Sequence, residues 1–270
     1  MLNRTARKPE HGERREAAAE PGSARHSRRR PDVREVGRVA ALLGLFAALA
    51  LYYAFHDRLW NASTWWDIAF LGLVLIPVCF ALVWLVLPLR TARGLLAVGA
   101  ALGVLAWAFH AAGWNTAENF AKLFAVTFVG FAFLEYFETL SWVVLVALII
   151  PWVDAYSVWR GPTKVIVTKH AHVFTNFSFA FPIPGETTAA NLGLPDLMFF
   201  ALFLAAGARY LLRPNLTWLL MTLSFGATLA LAVWRNLGGL PALPLLSLGF
   251  LLANGDLIWT QLRRDADARR

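Results

Sequence analysis

The chain has one cysteine, Cys79, and little charge. A single thiol excludes an internal disulfide and a thiolate metal cluster. Only 16% of the 270 residues are charged, whereas 58% are hydrophobic and the mean hydropathy is +0.54. Amphipathic stripes of the soluble kind are missing as well. The apolar residues fall in blocks of about 17 to 23, close to the ~20 that cross a hydrocarbon core. Histidine is sparse: of six, only His170 and His172 stand together, and two ligands without a third do not make a metal site. No internal repeat relates the first four blocks to the last four, as it would in many transporters.

What is present predicts an all-α integral membrane protein, a polytopic bundle of about eight transmembrane helices. The spans are read at 38–55, 67–89, 94–112, 119–135, 139–159, 192–212, 216–235 and 240–260. Their connectors are mostly short and carry Asn, Gly, Pro and charge, so neighbours pack antiparallel. Residues 1–37 form a basic tail with almost no large apolar side chain, expected to be disordered and cytoplasmic. Then come amino-terminal helices over 38–135, a second helical unit over 136–260 and a charged tail over 261–270.

The excess of 25 Lys+Arg over 17 Asp+Glu lies largely in the first segment, around Arg28-Arg29-Arg30. It reads as a positive-inside tail meeting anionic lipid, not as a nucleic-acid site. With the amino terminus inside, Arg90, Arg93, Arg209, Arg213 and the last tail also fall inside. Both termini are then cytoplasmic in the plasma membrane, and the 160–191 connection faces outward although it carries Arg160, Lys164 and Lys169. Trp65, Trp66, Trp114 and Trp218 suit the interfacial aromatic belt, and Asn254 and Asp256 are expected to anchor the last span at its border.

Against this apolar background two acids stand out: Asp154 in LVALIIPWVDAYSVW and Asp196 in LGLPDLMFFALFLAA. An ionisable group at membrane depth is costly, so its presence points to a task. Between the two helices, Lys164–Thr168 is β-branched, and Val173, Phe177, Phe179 and Phe181 recur at even spacing before Pro182, Pro184 and Gly185. That pattern predicts a small β-hairpin at the membrane face, whose free edge suits strand addition by an extended peptide, or else an amphipathic lid on the lipid. The last span opens on Pro241-Ala242-Leu243-Pro244, which interrupts backbone hydrogen bonding where only a protein-lined or wet cavity tolerates it.

These landmarks resemble the intramembrane aspartyl proteases that include presenilin and signal peptide peptidase, in a prokaryotic-type form. Asp154 with Tyr156 is similar to the family's first aspartate helix, Gly193-Leu194-Pro195-Asp196 to its Gly-x-Gly-Asp helix, and Pro241-Ala242-Leu243 with Pro244 to its Pro-Ala-Leu element. Val153 stands where the family has tyrosine and Pro195 where it has the second glycine, and the family has nine helices. The resemblance covers roughly 139–260. It implies that Asp154 and Asp196 are a catalytic dyad, supported by Gly193, Leu194, Pro195 and the Pro-Ala-Leu residues. The loop charges favour the orientation of signal peptide peptidase, which implies type II membrane helices or signal peptides as substrates, with no cofactor and no metal.

Two carboxylates about 5 Å apart, both charged, repel by roughly 3 kcal/mol at an effective dielectric of about 20. They therefore hold one proton between them and titrate as a unit. Two other classes remain open at this stage: a proton-coupled transporter or channel in which the acids relay protons, and a catalytically inactive binder of membrane peptides.

Overall fold

The computed structural model describes residues 33–160, 175–237 and 239–267. The helices are α1 (Val33–Phe55), α2 (Thr64–Phe70), α3 (Ile76–Val86), α4 (Leu95–Ala111), α5 (Asn115–Phe133), α6 (Leu140–Trp159), α7 (Leu194–Arg209), α8 (Pro214–Trp234) and α9 (Leu243–Asp267). Two strands, β1 (Ser178–Pro182) and β2 (Ala189–Gly193), form an antiparallel pair between α6 and α7. Helices α2 and α3 are one rod joined by a π turn at Leu71–Leu75. Pro77, just past that turn, has no N–H for the Leu73 carbonyl, and a wider turn is one way a helix absorbs this loss.

Six helical rods among the described residues are long and apolar enough to cross a membrane: Val33–Arg58, Thr64–Thr91, Asn115–Tyr136, Leu140–Trp159, Pro214–Trp234 and Leu243–Asp267. Helix α4 is apolar but has only 17 residues, and α7 has 16. Each of the eight expected blocks is thus helical, with shifted ends. Helix α1 starts at Val33 and not at 38, and α9 runs on to Asp267, through most of the expected tail. Residues 1–32 lie outside the described residues.

The short α7 is the centre of the molecule. Leu197 and every residue from Phe200 to Gly207 are buried, so this helix is apolar on all sides because all sides are packed. Phe200 meets Phe80 of α3 with ring centroids 4.4 Å apart, and Phe203 stacks on Phe250 of α9 at 4.9 Å. Small residues let backbones touch elsewhere. A Cβ at Gly130 of α5 would lie 2.6 Å from the Met198 carbonyl oxygen, and one at Gly72 would lie 3.2 Å from the Cα of Gly226 in α8.

Lys122, which falls inside an apolar span, is neutralised within α5. It pairs one turn away with the buried Glu118, whose other oxygen lies 3.0 Å from His110 Nδ1. Asn254 is also not a border anchor. It is buried, accepts the Arg213 N–H at 3.0 Å and donates to Thr217 Oγ1 at 2.8 Å, fastening α9 to the α7–α8 turn. Asp256 beside it takes both guanidinium nitrogens of Arg213, at 2.8 and 2.6 Å.

The hairpin forms with a different partner from the one the sequence pattern names. Phe179 and Phe181 are on β1 and are buried, but β1 pairs with Ala189–Gly193, in the register Ser178↔Gly193 to Pro182↔Ala189. Lys164–Thr168, Val173 and the His170/His172 pair lie outside the described residues. Residues 192 and 193, expected to open a helix, close a strand instead, and α7 begins at Leu194, whose N–H donates to the Phe177 carbonyl at 3.1 Å.

Candidate functional site

Helix α6 buries one narrow stripe, Leu140, Val143 and Ala147, and exposes most of the rest. Seven residues beyond Ala147, two helical turns on, the same face presents Asp154. This stripe packs chiefly on α9. Pro151 lies inside the helix one turn before Asp154 and leaves the Ala147 carbonyl without its helical donor.

Asp154 meets the start of α9. Its Oδ2 accepts the Leu243 backbone N–H at 3.0 Å. Helix N-termini leave their first N–H groups unbonded, and Ala242 has no side chain with which to cap them. The Ala242 carbonyl already accepts the Leu246 N–H, so Ala242 is the capping position and its cap comes from another helix. Pro244, in the first turn, brings no N–H that would need a partner. Pro241, Ala242 and Leu243 are buried, which keeps these donors from water.

Asp196 is the third residue of α7. Its carboxylate lies against the backbone of Gly193, the residue preceding the helix, in the place that the acid of a capping box takes. Gly193 has a φ of −59° and a ψ of 139°, which suit any residue. Space is the constraint: a Cβ at Gly193 would sit 3.2 Å from Asp196 Oδ2. Pro195 is exposed in the first turn, where its lost N–H costs nothing.

Both carboxylates are half-buried, and they lie within electrostatic reach of each other across α6 and α7. Asp154, Asp196, Gly193, Ala242 and Leu243 are therefore brought together, and Leu194 ties the sheet to this end of α7. Tyr156 is not: two residues past Asp154 it points elsewhere and is 65% exposed. Among the described residues, no group of three His, Cys, Asp or Glu is arranged to hold a metal ion.

The hairpin adjoins this site through Gly193. Asn119 of α5 spans Ala180 of β1, donating from Nδ2 to its carbonyl at 2.8 Å and accepting its N–H on Oδ1 at 2.9 Å. The hydroxyls of Tyr53 and Tyr52 donate to the carbonyls of Ala180 and Pro182, both at 2.7 Å. Since Ala180 bonds away from β2, the Ala180↔Asn191 pair is a non-hydrogen-bonded one. By the period of two, Ala189, Asn191 and Gly193 then turn their backbone groups to the other edge of β2. Among the described residues no strand occupies that edge. The sequence reading missed Asn119, although a polar residue opening an apolar span was a signal.

No protein-family model matches the chain, and neither a curated protein nor a solved structure matches it.

Proposed function

We propose that the chain is an intramembrane aspartyl endopeptidase that uses Asp154 and Asp196 to hydrolyse peptide bonds of membrane-embedded helices. The observation that carries this reading is the approach of two carboxylates from different apolar helices to within electrostatic reach of each other, one of them held by the Leu243 N–H. Held rigidly, such a pair suits general acid–base work. The ionised partner takes a proton from water as its oxygen attacks the peptide carbonyl carbon, and the protonated partner donates to the carbonyl oxygen. As the tetrahedral diol collapses and the C–N bond breaks, the carboxyl that took the water proton gives it to the departing nitrogen, and the other carboxylate takes back a proton from a diol hydroxyl.

A helical substrate hides its carbonyls in its own hydrogen bonds, so it must be unwound before attack. The open edge of β2 supports a way to hold it extended. A strand paired with Asn191 and the Gly193 carbonyl runs alongside the chain that leads into Asp196. In this reading eight helices cross the plasma membrane with both termini cytoplasmic, and the substrates are type II helices or signal peptides. The test is to incubate the purified protein in bilayers with a type II membrane-helix peptide and weigh the products. Two fragments whose masses sum to the substrate plus one water support hydrolysis; an intact peptide across a broad panel removes the reading. Acid-driven transport of a solute would favour a proton-coupled carrier instead.

A further inference from the structure

We infer that Asn119 is a positioning residue that sets the register in which a substrate strand meets the dyad, an inference that rests on the protease reading above. Asn119 is buried, and its amide uses both ends on one residue, Ala180, as a paired residue of a third strand would. Its Nδ2 also lies 3.3 Å from the Tyr53 hydroxyl, which donates to the same carbonyl. At Pro182 there is no N–H, so the Tyr52 hydroxyl alone satisfies that position. Helices α1 and α5 thus supply a side-chain imitation of a strand and close the outward edge of β1 at these two residues.

The consequence reaches Asp196 through the ladder. Fixing Ala180 fixes its partner Asn191, and the alternation then dictates which groups β2 offers at its open edge. Gly193, two residues on, lies against the Asp196 carboxylate. A slip of β1 by one residue would turn Phe179 and Phe181 out of the core and present the wrong backbone groups beside the dyad. A core asparagine with a purely structural role would affect how much protein folds, but not which peptide bond is cut.

The test compares wild type with Asn119→Asp and Tyr53→Phe in bilayers, mapping cleavage positions by mass and amide hydrogen exchange through β1 and β2. Asn119→Asp keeps the shape and turns the Ala180 donor into an oxygen. It is expected to lower kcat by about tenfold to a hundredfold, the scale of a small misplacement. It should also displace or spread the cut sites and expose the amides of Ala180 and of β2 to exchange. Tyr53→Phe leaves Nδ2 on the same carbonyl and should do less in every respect. Unchanged cut sites in a folded, exchanging Asn119→Asp protein overturn the inference. If wild type cuts nothing, the protease reading fails by itself. The exchange arm then decides the rest: β2 amides as protected in Asn119→Asp as in wild type would show that Asn119 does not set the strand.

Discussion

At the residue scale, the candidate site depends on backbone N–H groups as much as on carboxylates. Leu243→Pro deletes the donor to Asp154 at a helix position that tolerates proline, while Leu243→Ala removes the buried side chain and keeps the donor. A hydrogen bond to a charged group is worth about 1.5–3 kcal/mol, so the proline variant should lose about tenfold or more in kcat relative to the alanine variant. Equal rates for the two variants would show that the bond has no catalytic weight. Gly193→Ala probes the other acid. Its dihedrals accept alanine, so thermal stability should hold within about 1 kcal/mol, yet the methyl group crowds Asp196 Oδ2 at 3.2 Å and activity should fall. A bell-shaped pH–rate profile is expected as well, because one carboxyl must be ionised while the other is protonated.

At the element scale, alternation along β2 separates folding from binding. Asn191→Pro removes an N–H that faces the open edge and leaves the β1 ladder intact, whereas Leu192→Pro removes one that β1 needs. The first should raise KM with little loss of stability, and the second should destabilise the protein; a panel of KM values and melting curves distinguishes them. Helix packing gives a second expectation. Gly130→Ala drives a methyl group into the Met198 carbonyl of α7 and should cost about 1–3 kcal/mol in unfolding from detergent.

The elements also divide by how far the sequence discloses them. The apolar blocks announce eight helical rods because length and hydropathy are local properties, but the block that opens at 192 overshoots the start of α7 by two residues, because Leu192 and Gly193 belong to β2. The strand partner was not legible. Phe179 and Phe181 advertise a strand, but nothing in Ala189–Gly193 has strong strand propensity; its pairing is set by the buried phenylalanines and by Asn119, 61 residues from Ala180. Asn254 shows the same limit from the other side. Its place near a span end suggests an interface, and only the Arg213 and Thr217 contacts reveal a clamp.

For the whole molecule, the arrangement is a packed centre with a looser flank. Helix α7 is enclosed, whereas α6 brings its aspartate to the site from a mostly exposed helix fastened to α9. Orientation can be read with one engineered thiol, since Cys79 is fully buried and should be silent to labels in the folded protein. Thr187→Cys in the exposed β1–β2 turn should react in intact cells with a membrane-impermeant maleimide. Labelling only after the cells are opened would reverse the topology and with it the class of substrate.

The decisive measurement is cleavage of a type II membrane-helix peptide in reconstituted bilayers by wild type, Asp154→Asn and Asp196→Asn, each checked for an unchanged melting profile. Asparagine keeps the shape of each side chain and removes its acid–base function. Cleavage by wild type that disappears in both variants is the predicted result. Cleavage that survives in either folded variant would contradict a two-aspartate dyad.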